Sequence, residues 1–171
     1  MNNTCNIILI GFMGAGKTTV GKALAVRLQR DFVDMDVELE ARVGKPIPRI
    51  FAEDGEPVFR RLERALVVEL SARSNLVIAA GGGIVLNPDN TRDFGATGCV
   101  ICLRAAPDEI LRRVSASNHR PLLEQGSKEE RIRNLFQQRR HFYDAIAIQV
   151  DTTGKTVDEI IARIYDVIHN A

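Results

Sequence analysis

The sequence predicts an α/β fold in three layers, a central five-stranded parallel sheet flanked by helices, and three observations carry that reading. Short apolar runs alternate with longer stretches of helical period, the pattern of parallel strands joined by helical crossovers. Most of these runs are continuously apolar rather than alternating, as strands covered on both faces must be. The chain has 171 residues, 45% hydrophobic and 26% charged, with no repeat, low-complexity tract or Pro/Gly/Ser-rich linker. That length suits one well-buried domain and is short for two.

Along the chain, the strand candidates are Cys5–Ile10, Asp31–Asp34, Leu76–Ala80, Cys99–Leu103 and Ile148–Asp151. The first leads into a helix over Thr19–Arg30. Asp36 is a candidate cap for a helix over Val37–Val43, and Gly44 and Gly55 mark helix ends. In the next helix Val58, Phe59, Leu62, Ala65, Leu66 and Glu69 define the inward stripe, leaving Arg60 on the opposite face. Pro107-Asp108-Glu109 opens a later helix, with proline in its first turn and acids at the positive end of its dipole. Ser127-Lys128-Glu129-Glu130 and Thr156-Val157-Asp158-Glu159 both fit the capping box that starts a helix. The first box opens a helix from about Lys128 to Ala145. Behind the second, Val157, Ile160, Ile161, Ile164 and Ile168 make one apolar stripe. Residues 115–126 are polar and without a period, which reads as a mobile lid.

Composition excludes several classes. Lys plus Arg number 23 against 22 Asp plus Glu, a formal charge of +1, so no electrostatic case exists for a nucleic-acid or anionic-membrane partner. Three cysteines make no disulfide framework and read as cytosolic thiols. Cys99 and Cys102 form a C-x-x-C, but inside an apolar strand pattern and with no second pair to close a metal site. Met1-Asn2-Asn3-Thr4 has no basic n-region, and Ile7–Ile10 is too short for a signal or a span. The expectation is a cytoplasmic protein. His119, His141 and His169 show no ligand spacing and read as surface residues.

Gly11-Phe12-Met13-Gly14-Ala15-Gly16-Lys17-Thr18 satisfies G-x-x-x-x-G-K-[ST] between a strand and a helix, the context that gives the motif its meaning. Glycines let successive backbone N–H groups turn toward a phosphate, and the helix N-terminus adds partial positive charge there. Lys17 reaches the β- and γ-phosphates, and the Thr18 hydroxyl is placed to ligate Mg²⁺. The motif predicts a phosphate-loop NTPase fold that binds a nucleoside triphosphate. No N-K-x-D for guanine occurs, and Asp151-Thr152-Thr153-Gly154 lies too late for a switch. Asp93-Phe94-Gly95 lacks the other protein-kinase motifs and reads as a chance helix end.

The third strand ends in Ala79-Ala80-Gly81-Gly82-Gly83, with no acid to hold a metal's water. Carboxylates follow the second strand instead, as Asp34 and Asp36. If extended backbone persists through Asp36, both point to one side, one toward the metal and one toward a phosphate acceptor. Alternatively they are a solvated helix-capping pair. Arg139 shares a helix face with Ile132, Leu135, Phe142, Tyr143 and Ile146, where an arginine is costly unless an anion meets it. Arg140 falls well round the helix and reads as solvated.

The loop Gly11–Lys17, Asp34-x-Asp36, Phe59-Arg60-Arg61-Leu62-Glu63, Gly81-Gly82-Gly83 and Arg120-Pro121-Leu122-Leu123 occur in that order. Together they resemble the shikimate kinase family, from the first strand to about Asp151. The resemblance implies ATP-dependent phosphorylation of the 3-hydroxyl of shikimate, in aromatic amino-acid biosynthesis, with ATP and Mg²⁺ as cofactors. It assigns Gly14, Ala15, Gly16, Lys17, Thr18 and Thr19 to the nucleotide, and Thr18 to the metal with Asp34 at or just behind it. It assigns Asp36, Arg60, Gly81, Gly82, Gly83 and Arg139 to shikimate, within a helical substrate-binding segment over about 36–64. Arg120 closes over ATP from the lid, and Lys17, Asp36 and Arg120 are the catalytic set. The choice of Arg60 over Arg61 comes from the resemblance alone.

Physical chemistry supports these roles. A carboxylate with three hydroxyls calls for guanidinium forks and an acid, and consecutive glycines admit close backbone approach. Glu63, one turn after Arg60, can steady its fork. Two departures stand out: prolines at 46 and 48 where a Ser/Thr cap and an acid are expected, and Ile148-Gln149 where an acid is common. A kinase for another polyol acid such as gluconate is the alternative activity. A non-catalytic nucleotide-binding regulator is a third, although Lys17, Asp36 and Arg139 are all retained. Nothing in the pattern suggests an obligate partner, so a monomer is expected.

Overall fold

The structure, a computed structural model, describes residues 5–115 and 128–170. Five strands form one sheet: β1 (Asn6–Ile10), β2 (Asp31–Asp34), β3 (Leu76–Ala79), β4 (Gly98–Arg104) and β5 (Ile148–Asp151). Their order is β2-β3-β1-β4-β5, and every pairing is parallel, with Ile8 of β1 opposite Ile78 on one side and Val100 on the other. The helices are α1 (Lys17–Leu28), α2 (Met35–Val43), α3 (Ile47–Glu53), α4 (Glu56–Ser71), α5 (Pro88–Thr97), α6 (Pro107–Ser115), α7 (Lys128–Asp144) and α8 (Val157–Asn170), with a 3₁₀ turn at Ile84–Leu86.

The continuously apolar strands are explained by two cores. Ile8 and Ile10 pack on one face with Phe59 and Leu66 of α4, Phe94 of α5 and Tyr143 of α7. Ile7 and Leu9 pack on the other with Val20 and Leu24 of α1 and Ile160 and Ile164 of α8. With both faces covered, no position of β1 is left for a solvated side chain. Cys99 and Cys102 are buried in β4 as free thiols, and burial holds Cys102 up at about 11.

The predicted strands are found nearly residue for residue, whereas several helix details differ. α1 starts at Lys17, two residues early, because Gly16 in a left-handed conformation (φ 96°) is its N-cap. β2 runs straight into α2, and Asp34 rather than Asp36 is the cap, accepting from the backbone N–H groups of Asp36 (3.1 Å) and Val37 (3.4 Å). Extended backbone therefore stops at Asp34, and Asp36 stands in the first helical turn. On α4 the buried face is Phe59, Glu63, Leu66, Val67 and Leu70, while Ala65 and Glu69 are exposed. The Asp93-Phe94-Gly95 triplet lies within α5, which continues to Thr97. The Thr156–Glu159 box is formed in both directions, Glu159 Oε2 accepting from Thr156 N at 2.7 Å and Glu159 N donating to Thr156 Oγ1 at 3.3 Å. Ser127 and the 116–126 part of the expected lid, Arg120 included, lie outside the described residues.

Asn6 fixes α4 against the sheet. Fully buried, it donates from Nδ2 to Leu70 O (3.3 Å) and Arg73 O (2.8 Å) at the end of α4, and its Oδ1 accepts from Leu76 N (3.0 Å) at the start of β3. Removing it takes away the buried partner of the Leu76 N–H and unties the end of α4 from the sheet. Asn6→Ala is expected to lower unfolding free energy by roughly 3 kcal/mol in a urea titration. A loss below about 1 kcal/mol would mean that water replaces the side chain.

Candidate active site

The carboxyl ends of β2, β3 and β1 lie side by side, and each releases one part of the site: Asp34, the glycine run and the phosphate loop. Open α/β sheets bind ligands at this edge. Gly11, Gly14 and Gly16 all take positive φ (143°, 79° and 96°), and a Cβ on Gly11 would lie 2.3 Å from Leu103 O of β4. No other residue type could follow this path. Lys17 Nζ donates to Gly11 O (2.8 Å) and Phe12 O (3.1 Å), which places its ammonium along the loop.

Two residues outside any motif hold the loop from behind. Arg113 of α6 donates from Nη1 to Gly14 O (3.1 Å) and Thr152 Oγ1 (3.0 Å), and from Nη2 to Thr152 O (2.8 Å). Fully buried Thr152 has its hydroxyl 2.9 Å from Arg104 O and 3.3 Å from Ala15 O. In a trans peptide the carbonyl and the next N–H point opposite ways, so the Gly16 N–H faces away from Thr152. These partners lie 99 and 137 residues from the loop atoms they hold, beyond the reach of any local pattern.

Thr18 Oγ1 donates to Asp34 Oδ2 at 2.7 Å. The other oxygen of that carboxylate caps α2, so its position is fixed by backbone. Two hard oxygen donors at one point suit a divalent cation such as Mg²⁺. Among the described residues no group of three His, Cys, Asp or Glu side chains could cage a metal unaided.

The glycine run lies beside the phosphate loop, and the protein's own side chains crowd its two end positions. A Cβ on Gly81 would sit 2.8 Å from Asp36 Oδ1 and 3.1 Å from Glu63 Oε1. A Cβ on Gly83 would sit 2.4–2.7 Å from the Arg60 guanidinium. Gly82 is roomier, with Met13 N at 3.8 Å and Gly11 O at 4.0 Å from its Cβ position. At Gly82, therefore, the phosphate loop and the glycine run come within contact distance.

Glu63 lies beneath this run at 2% exposure. Its Oε2 accepts from Arg60 Nη1 at 2.8 Å, while Arg60 also donates from Nε (3.1 Å) and Nη2 (3.0 Å) to Glu56. Burial pushes the Glu63 carboxyl above its ordinary range; Arg60 opposes that, Asp36 adds to it and Arg139 opposes it. Arg139 is half-buried on α7 and reaches the same field, as well as the hydroxyl of Tyr143 one turn on. Arg140 is exposed and pairs with Asp144 at 3.2 Å.

Lys17, Thr18, Asp34, Asp36, Arg60, Gly81, Gly82, Gly83 and Arg139 are thus gathered at one sheet edge. Arg60 lies over Gly83 rather than in open solvent, its side chain 23% exposed. Arg113, Thr152 and Tyr143 were not legible as site residues. Glu63 was legible as a partner of Arg60, but its burial was not.

The family model for shikimate kinase matches residues 13–169. A shikimate kinase of Pelotomaculum thermopropionicum is 46% identical over 159 residues, covering 93% of this chain and 92% of the relative. A solved structure, shikimate kinase from Acinetobacter baumannii in complex with shikimate, superposes with a TM-score of 0.91 at 35% identity, covering 97% of this chain and 93% of that one. A gluconokinase from Sinorhizobium meliloti, at 16% identity and a TM-score of 0.58, shares the fold alone. With its three-layer phosphate-loop architecture, its gathered site and these matches along most of its length, the chain belongs to the shikimate kinase family.

Proposed function

We propose that this chain transfers the terminal phosphoryl group of ATP to the 3-hydroxyl of shikimate, giving shikimate 3-phosphate and ADP for aromatic amino-acid biosynthesis. One observation carries the reading: Asp36 is packed against Gly81 and Arg60 against Gly83, the two ends of the glycine run whose middle residue, Gly82, faces the phosphate loop. An acid, a guanidinium and a phosphate cradle around one glycine run match an acceptor bearing a hydroxyl and a carboxylate. The relative solved with shikimate bound supports the same acceptor.

The residue roles are those that the family resemblance implies, and the geometry is consistent with them. The backbone N–H groups of Gly14–Thr19 and the Lys17 ammonium hold the triphosphate. Thr18 and Asp34 would hold Mg²⁺, which when bound neutralises charge on the phosphates. Arg60 and Arg139 grip the shikimate carboxylate, Arg60 being aimed by its bond to Glu63. Close approach to the backbone of Gly81–Gly83 positions the hydroxyls. Asp36 accepts a hydrogen bond from the 3-hydroxyl and takes its proton as the new O–P bond forms; the bond from phosphorus to the bridging oxygen breaks and ADP leaves. Positioning and preorganised charge supply most of the rate. Arg120 retains the role of closing over ATP that the family resemblance gives it. The chain acts in the cytoplasm as a monomer, with no nucleic acid or membrane partner.

Three measurements test this reading. In a coupled ADP-release assay over a panel of hydroxy acids, shikimate alone is expected to support turnover, with negligible release before it is added. Turnover of gluconate at a comparable kcat/KM would overturn the choice of acceptor. Lys17→Ala and Asp36→Asn are each expected to lower kcat by at least about 100-fold. Parent-like rates in either would remove that residue from the mechanism. Gly83→Ala keeps an allowed backbone (φ −97°) but drives a methyl into the Arg60 guanidinium. It is expected to raise the KM for shikimate about ten-fold and to leave the KM for ATP within about two-fold.

A further inference from the structure

Tyr143 stands where three parts of the site meet, although no motif singles it out. It is 4% exposed on α7, and its hydroxyl donates to the carbonyl of Gly82. Its ring meets the phosphate-loop ring of Phe12 edge-on at 6.3 Å between centroids. Arg139 lies one turn earlier on the same face, within reach of that hydroxyl. From the far side, Gln149 Nε2 donates to Tyr143 O (2.8 Å) and Ile146 O (2.5 Å), tying the end of α7 to β5. Burial pushes the phenol up to about 12, so it stays a donor at any physiological pH.

We infer that Tyr143 is a positioning residue for the acceptor: its hydroxyl orients the Gly82–Gly83 peptide and fixes the spacing between that peptide and Arg139. The inference rests on the acceptor site proposed above. Because a trans peptide points its carbonyl and following N–H in opposite directions, a Gly82 carbonyl turned to Tyr143 turns the Gly83 N–H away from it. Glycines do not hold such an orientation by themselves, since their backbone is the least restricted of any residue. A donor on the helix that also carries Arg139 supplies the constraint and couples two contacts to one substrate. Gln149 takes part by holding the helix end, which gives a role to a residue standing where an acid is common.

Tyr143→Phe removes one oxygen and keeps the ring. Its KM for shikimate is expected to rise about five-fold or more, with kcat changed less and the KM for ATP within about two-fold of the parent. Calorimetric titration of shikimate should show the same weakening. Arg140→Ala, on the exposed face of the same helix, is expected to leave both constants unchanged. A shikimate KM within about two-fold of the parent, or an equal rise in both KM values, would overturn the inference. If Tyr143→Phe does not fold, Gln149→Leu takes its place: a rise confined to shikimate supports the inference, and unchanged KM values overturn it. A parent without shikimate-dependent ADP release would overturn the acceptor assignment itself, an outcome distinct from an active parent with an indifferent Tyr143→Phe.

Discussion

A carboxylate at 2% exposure on the apolar stripe of a helix is tolerable only while a guanidinium stands against it. Glu63 is that carboxylate, and the acceptor side of the site is arranged around it. Arg60 is drawn back across its own helix to meet it at 2.8 Å, which aims the guanidinium over Gly83 instead of into solvent. Arg60 fills the space a Cβ on Gly83 would need, and Asp36 with Glu63 crowds that of Gly81. Asp36 shares the pocket and, as a second negative charge, disfavours ionisation of Glu63; Arg139 offsets it from the opposite helix. Removing Arg60 takes the hydrogen-bonded cation from a buried carboxylate, whereas an exposed pair such as Arg140–Asp144 contributes little.

The sheet determines what this cluster faces. With β3 between β2 and β1, three consecutive strand ends deliver an acid, a bare backbone and a phosphate loop to adjacent positions. β4 adds a further restriction, since Leu103 O lies where any side chain at position 11 would go. Arg113 of α6 and Thr152, just after β5, then secure the loop. Residues 116–127 follow α6 directly in the chain, so the helix that grips the loop also leads to Arg120.

How much of this was legible depended on where the information resides. The phosphate loop could be read because its spacing is itself the chemistry, and the strands because burial on both faces leaves uninterrupted apolar runs. Arg139 could be read because a charge on an inward stripe needs a partner. Glu63 could be read as the partner of Arg60, but not as buried, because assigning the stripe to Leu62 and Ala65 rotates the helix by about one residue. Asp34 and Asp36 were recognised as a pair, but which of them caps the helix depended on where the strand ended. The glycine run was recognised as permissive for a ligand; that the protein's own acid and arginine already fill the space is a three-dimensional fact.

The proline substitutions show how a lost local signal is replaced by a distant one. Pro46 has no side chain that can cap α3, and Pro48 lacks the N–H that would have needed a cap. Glu40, from the middle of α2, accepts from Ile47 N at 2.8 Å in its stead. A capping interaction of this kind contributes about 1 kcal/mol, more than the half-exposed pairs of Lys45 with Glu53 and Asp54 can add. The difference is one of connectivity as well as energy. A serine or threonine cap would stabilise α3 alone, whereas Glu40 makes the start of α3 depend on α2, the helix whose first turn holds Asp36. Asp36 and Arg60 sit at opposite ends of this stretch, so a cap borrowed across two helices resists changes in the distance between the acid and the guanidinium.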